Sequence, residues 1–257
     1  MTSLGTGYDL SASTYSPDGR IFQVEYANKA VENGGTVVGL RVKGGVVLGV
    51  EKMIPSKLMV VEGNRRIATV HPHAGVATAG LLADGRHITD RARDEATSYK
   101  QTYHTQIPTK HLVDRVSGYC HAFTLYSSAR PFCLSTLIAG WDYHSTPADG
   151  TPSLYCVDPA GVSHAYRGCA IGKGRQLAKT EIEKLDLDNL TPQEALIQVA
   201  RIIHTVHDEA KDKDFHLELS WISEDSGYKH QMVPKEIAKA AETEAKRIIA
   251  EANEMEE

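Results

Sequence analysis

Thr36-Val37-Val38-Gly39-Leu40-Arg41-Val42-Lys43-Gly44-Gly45-Val46-Val47-Leu48-Gly49-Val50 contains two aliphatic, β-branched runs hinged on glycine. That pattern predicts a β-hairpin with its bend at Val42-Lys43-Gly44-Gly45. Just upstream, Gly34-Gly35 closes a segment of helical period, in which Ile21, Val24, Ala27 and Val31 share one stripe and Phe22 and Tyr26 another. Before it, Ser16-Pro17-Asp18-Gly19 carries type I turn chemistry. Downstream, extended runs are expected at 67–70 and 74–79, then amphipathic helices over 81–103 and 110–127 broken at Pro108. Strands are expected at 132–141, 153–157 and 163–170, the last two joined by Asp158-Pro159-Ala160-Gly161. Helices return at 174–187 and, after the Thr191-Pro192 start with Glu194 completing a capping pattern, at 193–211. A hairpin over 216–222 and 228–233 and a Pro234-started helix close the chain.

Strands, two helices, strands, two helices and strands is the order in which two mainly antiparallel sheets stack and carry helices on their outer faces. The expected fold is therefore α+β, a four-layer αββα sandwich. No Gly/Ser/Pro-rich linker divides it, so the organisation expected is a flexible tail over 1–12, one domain over 13–235 and a charged helix or tail over 236–257.

The 257 residues, 41% hydrophobic and 24% charged, are enough for a sizeable core. A formal net charge of -5 argues against a sequence-independent grip on nucleic acid. The first seven residues combine neither a basic nor an apolar region, and no apolar run has spanning length, so neither secretion by a signal peptide nor a membrane partner is expected. Cys120, Cys133, Cys156 and Cys169 show no C-x-x-C spacing and read as ordinary thiols of a reducing compartment.

Several local patterns fall short of a site, and no cofactor or metal is expected. Gly168-x-x-x-Gly172-Lys173-Gly174 has too few residues between its glycines and no Ser or Thr after the lysine, so it reads as a strand-to-helix connection and not a phosphate loop. His204 and His207 share a helical face near Asp208 and Glu209, but two imidazoles without a third placed ligand do not make a metal centre. His71-Pro72-His73 is no better supported.

Tyr8-Asp9-Leu10, Ser16-Pro17-Asp18-Gly19-Arg20 and Phe22-Gln23-Val24-Glu25-Tyr26-Ala27 together resemble the amino-terminal signature of proteasome alpha subunits, and the likeness runs to about residue 235. Thr124-Leu125-Tyr126-Ser127, the segment from Cys169 to Gln176 and Val206-His207-Asp208-Glu209 resemble one eukaryotic subtype within that family. The resemblance implies the αββα fold of amino-terminal-nucleophile hydrolases and a hetero-heptameric ring built with other alpha subunits. Further implied partners are beta-ring subunits, a regulatory particle or other activators, and unfolded polypeptides in transit. It also implies residence in cytoplasm and nucleus.

Active members of such a fold attack with an amino-terminal Thr, assisted by its own amine and a nearby Lys. By the strand match, the nucleophile position falls on Gly35, inside the chain and without a side chain. Glu51 matches their acidic position, but their lysine falls on Arg66, which cannot accept a proton. Thr2, exposed by loss of Met1, would lack a fixed base and oxyanion donors. The expectation is thus a non-catalytic subunit; the alternative is an active threonine hydrolase of the same fold. The resemblance further implies that Tyr8, Asp9, Pro17 and Tyr26 form the cluster that holds an alpha tail upright at an open gate, the other reading being that Pro17 and Tyr26 only cap and pack the first helix. Leu10 departs from the Asp-Arg pair common in the family. Finally, Arg66, with Arg65 beside it, occupies the position of a lysine that receives an activator's terminal carboxylate, the plainer reading being a solvated arginine. The acidic last helix is read as resting on the sandwich or projecting from it.

Overall fold

The computed structural model describes residues 7–56, 58–143, 145–207 and 214–256. Its elements in chain order are α1 (Phe22–Glu32), β1 (Val37–Val42), β2 (Gly45–Met53), β3 (Ile67–His71), β4 (Ala74–Gly80), α2 (Leu82–Tyr103), α3 (Thr109–Ala122), β5 (Leu134–Asp142), β6 (Thr151–Val157), β7 (Ser163–Ala165), β8 (Gly168–Ile171), α4 (Arg175–Glu183), α5 (Pro192–Val206), β9 (Phe215–Ser223), β10 (Gln231–Met232) and α6 (Lys235–Glu256). One five-stranded sheet runs β10-β9-β2-β1-β8 and the other β3-β4-β5-β6-β7, and every described strand pair is antiparallel.

The opening hairpin forms as its sequence predicts. Val42 faces Gly45 across a two-residue bend, and Gly44 takes φ +85°, a left-handed conformation that suits glycine. Alternation along β1 and β2 then sorts the side chains. Val37, Val46, Leu48 and Val50 face the other sheet, where they meet Ala77, Leu137, Ala139 and Leu154. Val38, Leu40 and Val47 face outward onto Leu196, Val199 and Ile203 of α5. On the far side, α2 and α3 cover the second sheet through Ile88, Ala92, Leu112 and Val116. These layers make the αββα sandwich.

Helix α5 starts with a complete capping box, Glu194 N–H donating to Thr191 Oγ1 at 3.3 Å and Thr191 N–H to the Glu194 carboxylate at 2.8 Å. Its apolar stripe is closed on both sides, because α6 lays Ala241 and Ala245 against the same core.

Helix α5, expected over 193–211, ends at Val206, with 208–211 outside the described residues, and the strand expected over 228–233 spans only 231–232; three further boundaries differ for visible reasons. The run 163–170 is two strands in different sheets. Tyr166 N–H still donates to Leu154 C=O at 2.9 Å in one sheet, while Arg167 C=O already accepts from Arg41 N–H at 2.7 Å in the other. A continuous apolar run can continue across a sandwich as readily as along one sheet, and only pairing distinguishes the two. Helix α3 stops at Ala122, where the Thr124 hydroxyl turns back onto His121 C=O at 2.7 Å and Phe123 packs against Phe132. Helix α4 stops at Glu183, its last turn tightened by Leu185 N–H to Ile182 C=O at 3.0 Å.

The two sheets are also joined by a polar contact that periodicity does not reveal. Buried His230 places Nδ1 2.8 Å from Thr69 Oγ1 on β3 and Nε2 3.1 Å from Ser220 Oγ on β9. Its ring fills the space over Gly75, where an added Cβ would lie 2.1 Å from the imidazole. Burial lowers the His230 pKa from 6.5 to about 4. The unfolded chain therefore binds a proton below pH 6.5 that the folded chain refuses until about pH 4. Stability should fall as pH drops through that window and flatten below it, by on the order of 3 kcal/mol from this group. Urea denaturation across pH 7 to 4 should show a shallower slope for His230→Gln than for the unaltered chain; equal slopes would assign the dependence elsewhere.

Candidate functional site

The end of β1 is where a nucleophile would stand in an active relative of this fold. Gly35 sits there between α1 and β1, and an added Cβ would lie 2.2 Å from Glu51 C=O. Gly34 C=O accepts from Lys173 N–H at 2.9 Å, so the backbone on this side is also held. Thr36 is buried: its N–H donates to Glu51 Oε2 at 2.9 Å, and its hydroxyl oxygen accepts from Gly174 N–H at 3.2 Å. The second Glu51 oxygen lies 2.6 Å from His207 Nδ1. The carboxylate is thereby occupied in fastening β1, β2 and the end of α5 together.

Arg66 lies just before β3, close to this corner. Its guanidinium donates to Gly80 C=O at 2.9 Å and its backbone N–H to Glu218 Oε2 at 2.9 Å. Burial is the main influence lowering its pKa, with Arg86 acting in the same direction and Glu218 against it. Even so, a guanidinium remains protonated and supplies no base. An ion pair that the sequence reading missed stands beside it, Lys52 Nζ to Glu218 Oε1 at 3.2 Å, with both side chains buried. Lys52 also donates to Val61 C=O. The available signal was a Glu-Lys pair in the otherwise apolar β2 and a lone Glu in β9; what it lacked was the register, which sets Val50 opposite Glu218 and so brings the two strands together.

At the amino-terminal end, Asp9 and Tyr26 meet: the phenol donates to Asp9 Oδ2 at 3.2 Å. Gln23 Nε2 donates to Asp9 C=O at 2.5 Å, tying the same residue to α1 a second time. Pro17 lies in the expected turn, closed by Gly19 N–H to Ser16 C=O at 2.9 Å and by Arg20 N–H to Ser16 Oγ at 3.0 Å. Arg20 then grips Glu25 with two hydrogen bonds of 2.6 and 2.5 Å and covers the Phe22 ring. Tyr8 is exposed and, among the described residues, shares no hydrogen bond with this group. Leu10, 88% exposed, adds no charge. Residues 1–6, Thr2 included, lie outside the described residues.

A cavity of about 390 Å³ opens beside β3 and α2, lined by Arg65, Arg66, Arg86, Arg93, Asp90 and Leu82 among others. Arg93 is neutralised by Asp90 at 3.0 Å and Arg86 is hydrogen-bonded to Asn64 at 2.9 Å. The lining is cationic overall.

The other sequence patterns resolve into packing. Gly172, at φ +94°, turns the chain from β8 toward α4, and Gly174 leaves room for Val206. His204 and His207 point to different carboxylates, His204 to Glu242 on α6 at 3.2 Å and His207 to Glu51. Asp208 and Glu209 lie outside the described residues. His71 and His73 face each other, Nδ1 to Nδ1 at 2.7 Å, with His73 Nε2 against Ile107 C=O.

The proteasome subunit family matches residues 31–222, and the N-terminal signature of A-type proteasome subunits matches residues 8–30, the stretch that holds Asp9, Pro17 and Tyr26. This chain belongs to the proteasome subunits, among their alpha-type members. It is 54% identical to the alpha type-3 proteasome subunit of Arabidopsis thaliana over 251 residues, covering 98% of each chain. Identity to the alpha type-3 subunit of Oryza sativa subsp. japonica is 55%, again with 98% of each chain covered. For that of Spinacia oleracea it is 56%, covering 95% of this chain and 97% of the relative.

As an alpha-type proteasome subunit, the chain is a non-catalytic, structural member of its assembly. The geometry gives the physical reason: a glycine in mid-chain, packed against the Glu51 backbone, offers no hydroxyl, no free amine and no neutral amine base. Restoring the side chain alone should not restore the chemistry. In assembled particles, neither the unaltered subunit nor Gly35→Thr should gain mass from a threonine-directed electrophile. Gly35→Thr should also lose about 1–3 kcal/mol of stability through overpacking against Glu51. An adduct on either form, read by intact mass, would contradict this.

Proposed function

We propose that the subunit builds the outer alpha ring of the proteasome core particle, a hetero-heptamer with other alpha subunits stacked on beta-ring subunits, and helps gate the passage of unfolded polypeptides in ubiquitin-dependent degradation in cytoplasm and nucleus. The observation that carries the reading is the 3.2 Å hydrogen bond from Tyr26 to Asp9. It fastens the amino-terminal segment to the first helix in a chain whose strand end has no nucleophile. Residues 1–12 would be the gate segment, 13–235 the ring-building domain and 236–257 a charged peripheral helix. Tyr8, Asp9, Pro17 and Tyr26 would together bias the gate: Pro17 sets the turn, the Asp9–Tyr26 bond sets where the segment leaves the helix, and Tyr8 would engage when the segment is upright.

Burial of the Tyr26 phenol and its bond to the Asp9 carboxylate both raise its pKa, so the phenol keeps its proton and remains a donor at neutral pH. Asp9→Ala should therefore lower activator-stimulated peptide hydrolysis by assembled particles about two- to tenfold. Tyr26→Phe should do the same, and the double variant should add little. Unchanged stimulated rates in both single variants would remove the gating role.

Arg66 would receive a terminal carboxylate from an activator's tail, in a cavity also lined by Arg65, Arg86 and Arg93. One arm of its guanidinium is held by Gly80 C=O, which leaves donors free for an anion. Arg66→Ala should weaken binding of a peptide with the activator's carboxyl-terminal sequence about tenfold or more, whereas a carboxamide-ended peptide should not distinguish the variant from the parent. Equal affinity of the acid and amide peptides for the unaltered particle would exclude carboxylate recognition here.

A further inference from the structure

Cys156 and Cys169 lie on opposite sheets and face each other across the sandwich. On β6, Tyr155 and Val157 pack outward under α3, which leaves Cys156 pointing inward, directly opposite Leu137 of β5. On β8, Cys169 is paired with Gly39 of β1 and shares its inward face. At Gly39 the space a side chain would occupy is filled from the other sheet: an added Cβ would lie 3.0 Å from Leu137 Cδ1 and 3.1 Å from Leu154 Cδ1. Both cysteines pack against this same inter-sheet core, and both are free thiols. Two thiols from strands of different sheets thus share one inter-sheet core beside a position that carries no side chain.

We propose that Cys156 and Cys169 form a redox modification site, closing to an inter-sheet disulfide when the subunit meets a hydroperoxide. Cys169 is the attacking sulfur. The Cys156 thiol presented to it is the largest influence lowering its pKa, burial opposes this, and Lys179 lowers it further. Cys156 is held protonated, first by Cys169 and then by burial. The Cys169 thiolate displaces hydroxide from hydrogen peroxide, giving a sulfenic acid as the peroxide O–O bond breaks. The Cys156 sulfur, no longer facing an anion, then attacks the sulfenic sulfur. The S–S bond forms, the S–O bond breaks, and the departing oxygen leaves as water with the Cys156 proton. Overall, two thiols and one hydrogen peroxide give one disulfide and two waters. β8 is the edge strand of its sheet and Cys169 is only partly buried, which gives a small oxidant an approach from the sheet edge. The other two cysteines are differently placed: Cys120 is buried in the layer under α2 and α3, where burial raises its thiol to about 12, and Cys133 lies beside Asp84 and Arg130.

The test uses intact particles containing the full-length subunit, treated with hydrogen peroxide, blocked with N-ethylmaleimide and digested without reduction by trypsin and then chymotrypsin. Cleavage after Arg167 and Lys173 leaves Cys169 as the one cysteine of its peptide, and cleavage at Tyr155 separates Cys156 from Cys133. The expected product is the Cys169 peptide joined to the Cys156 peptide, two hydrogens lighter than their sum and split by reductant. The link should vanish completely in Cys156→Ser and in Cys169→Ser, with Cys156→Ala used where the serine hydroxyl disturbs the core, and it should persist in Cys133→Ser. Cys169 recovered as sulfinic acid or as a mixed disulfide while Cys156 carries maleimide would overturn the pairing. Recovery of both as maleimide adducts under peroxide that oxidises other thiols of the particle would overturn the proposal entirely.

Discussion

The contact between Gly35 and the carbonyl of Glu51 constrains everything at the functional corner of this protein. A chain that continues from helix α1 into strand β1 must pass through that point, and the packing there leaves no volume for a side chain. The Glu51 carboxylate then accepts the Thr36 N–H and meets His207, so the groups nearest to a would-be nucleophile are committed to holding the strand. Burying such charges is costly, and they persist only where hydrogen bonds satisfy them. The neighbouring Lys52–Glu218 pair obeys the same rule, since Val61 C=O and the N–H groups of Arg66 and Ile67 take up its remaining donors and acceptors. A scaffold suited to acyl transfer has its polar groups spent on structure.

With the strand end closed, the same region presents two outward features. The amino-terminal segment is tied by Asp9 to Tyr26 and Gln23, both on one face of α1, so its direction is coupled to the orientation of a helix that reaches the inter-sheet core through Val31. Arg66, held at one end by Gly80 C=O, lines a cationic cavity on the adjoining surface. Both features are anchored to regular elements, Asp9 to helix α1 and Arg66 to the end of strand β4.

Much of this was legible before any coordinates. The hairpin at 37–50 declares itself by β-branched runs around glycine, α5 by its capping box and stripe, and the amino-terminal signature by a long string of specific residues. At 163–170, and at the ends of α3 and α4, the boundaries went astray for one cause: local pattern continues where pairing does not. The Lys52–Glu218 and Glu51–His207 contacts join residues more than 150 positions apart, and His230 bridges two sheets through residues that periodicity treats as incidental.

Layer order, family membership and the loss of the nucleophile follow from the chain's residues read in line, because each rests on local identity: alternation, capping, a signature motif, a glycine where a threonine would be needed. Which polar groups are paired, where the chain crosses between sheets, and that Cys156 meets Cys169 at Gly39 emerge only in three dimensions. Those outcomes depend on register and on the separation of the two sheets, and these are set by how all the layers pack at once.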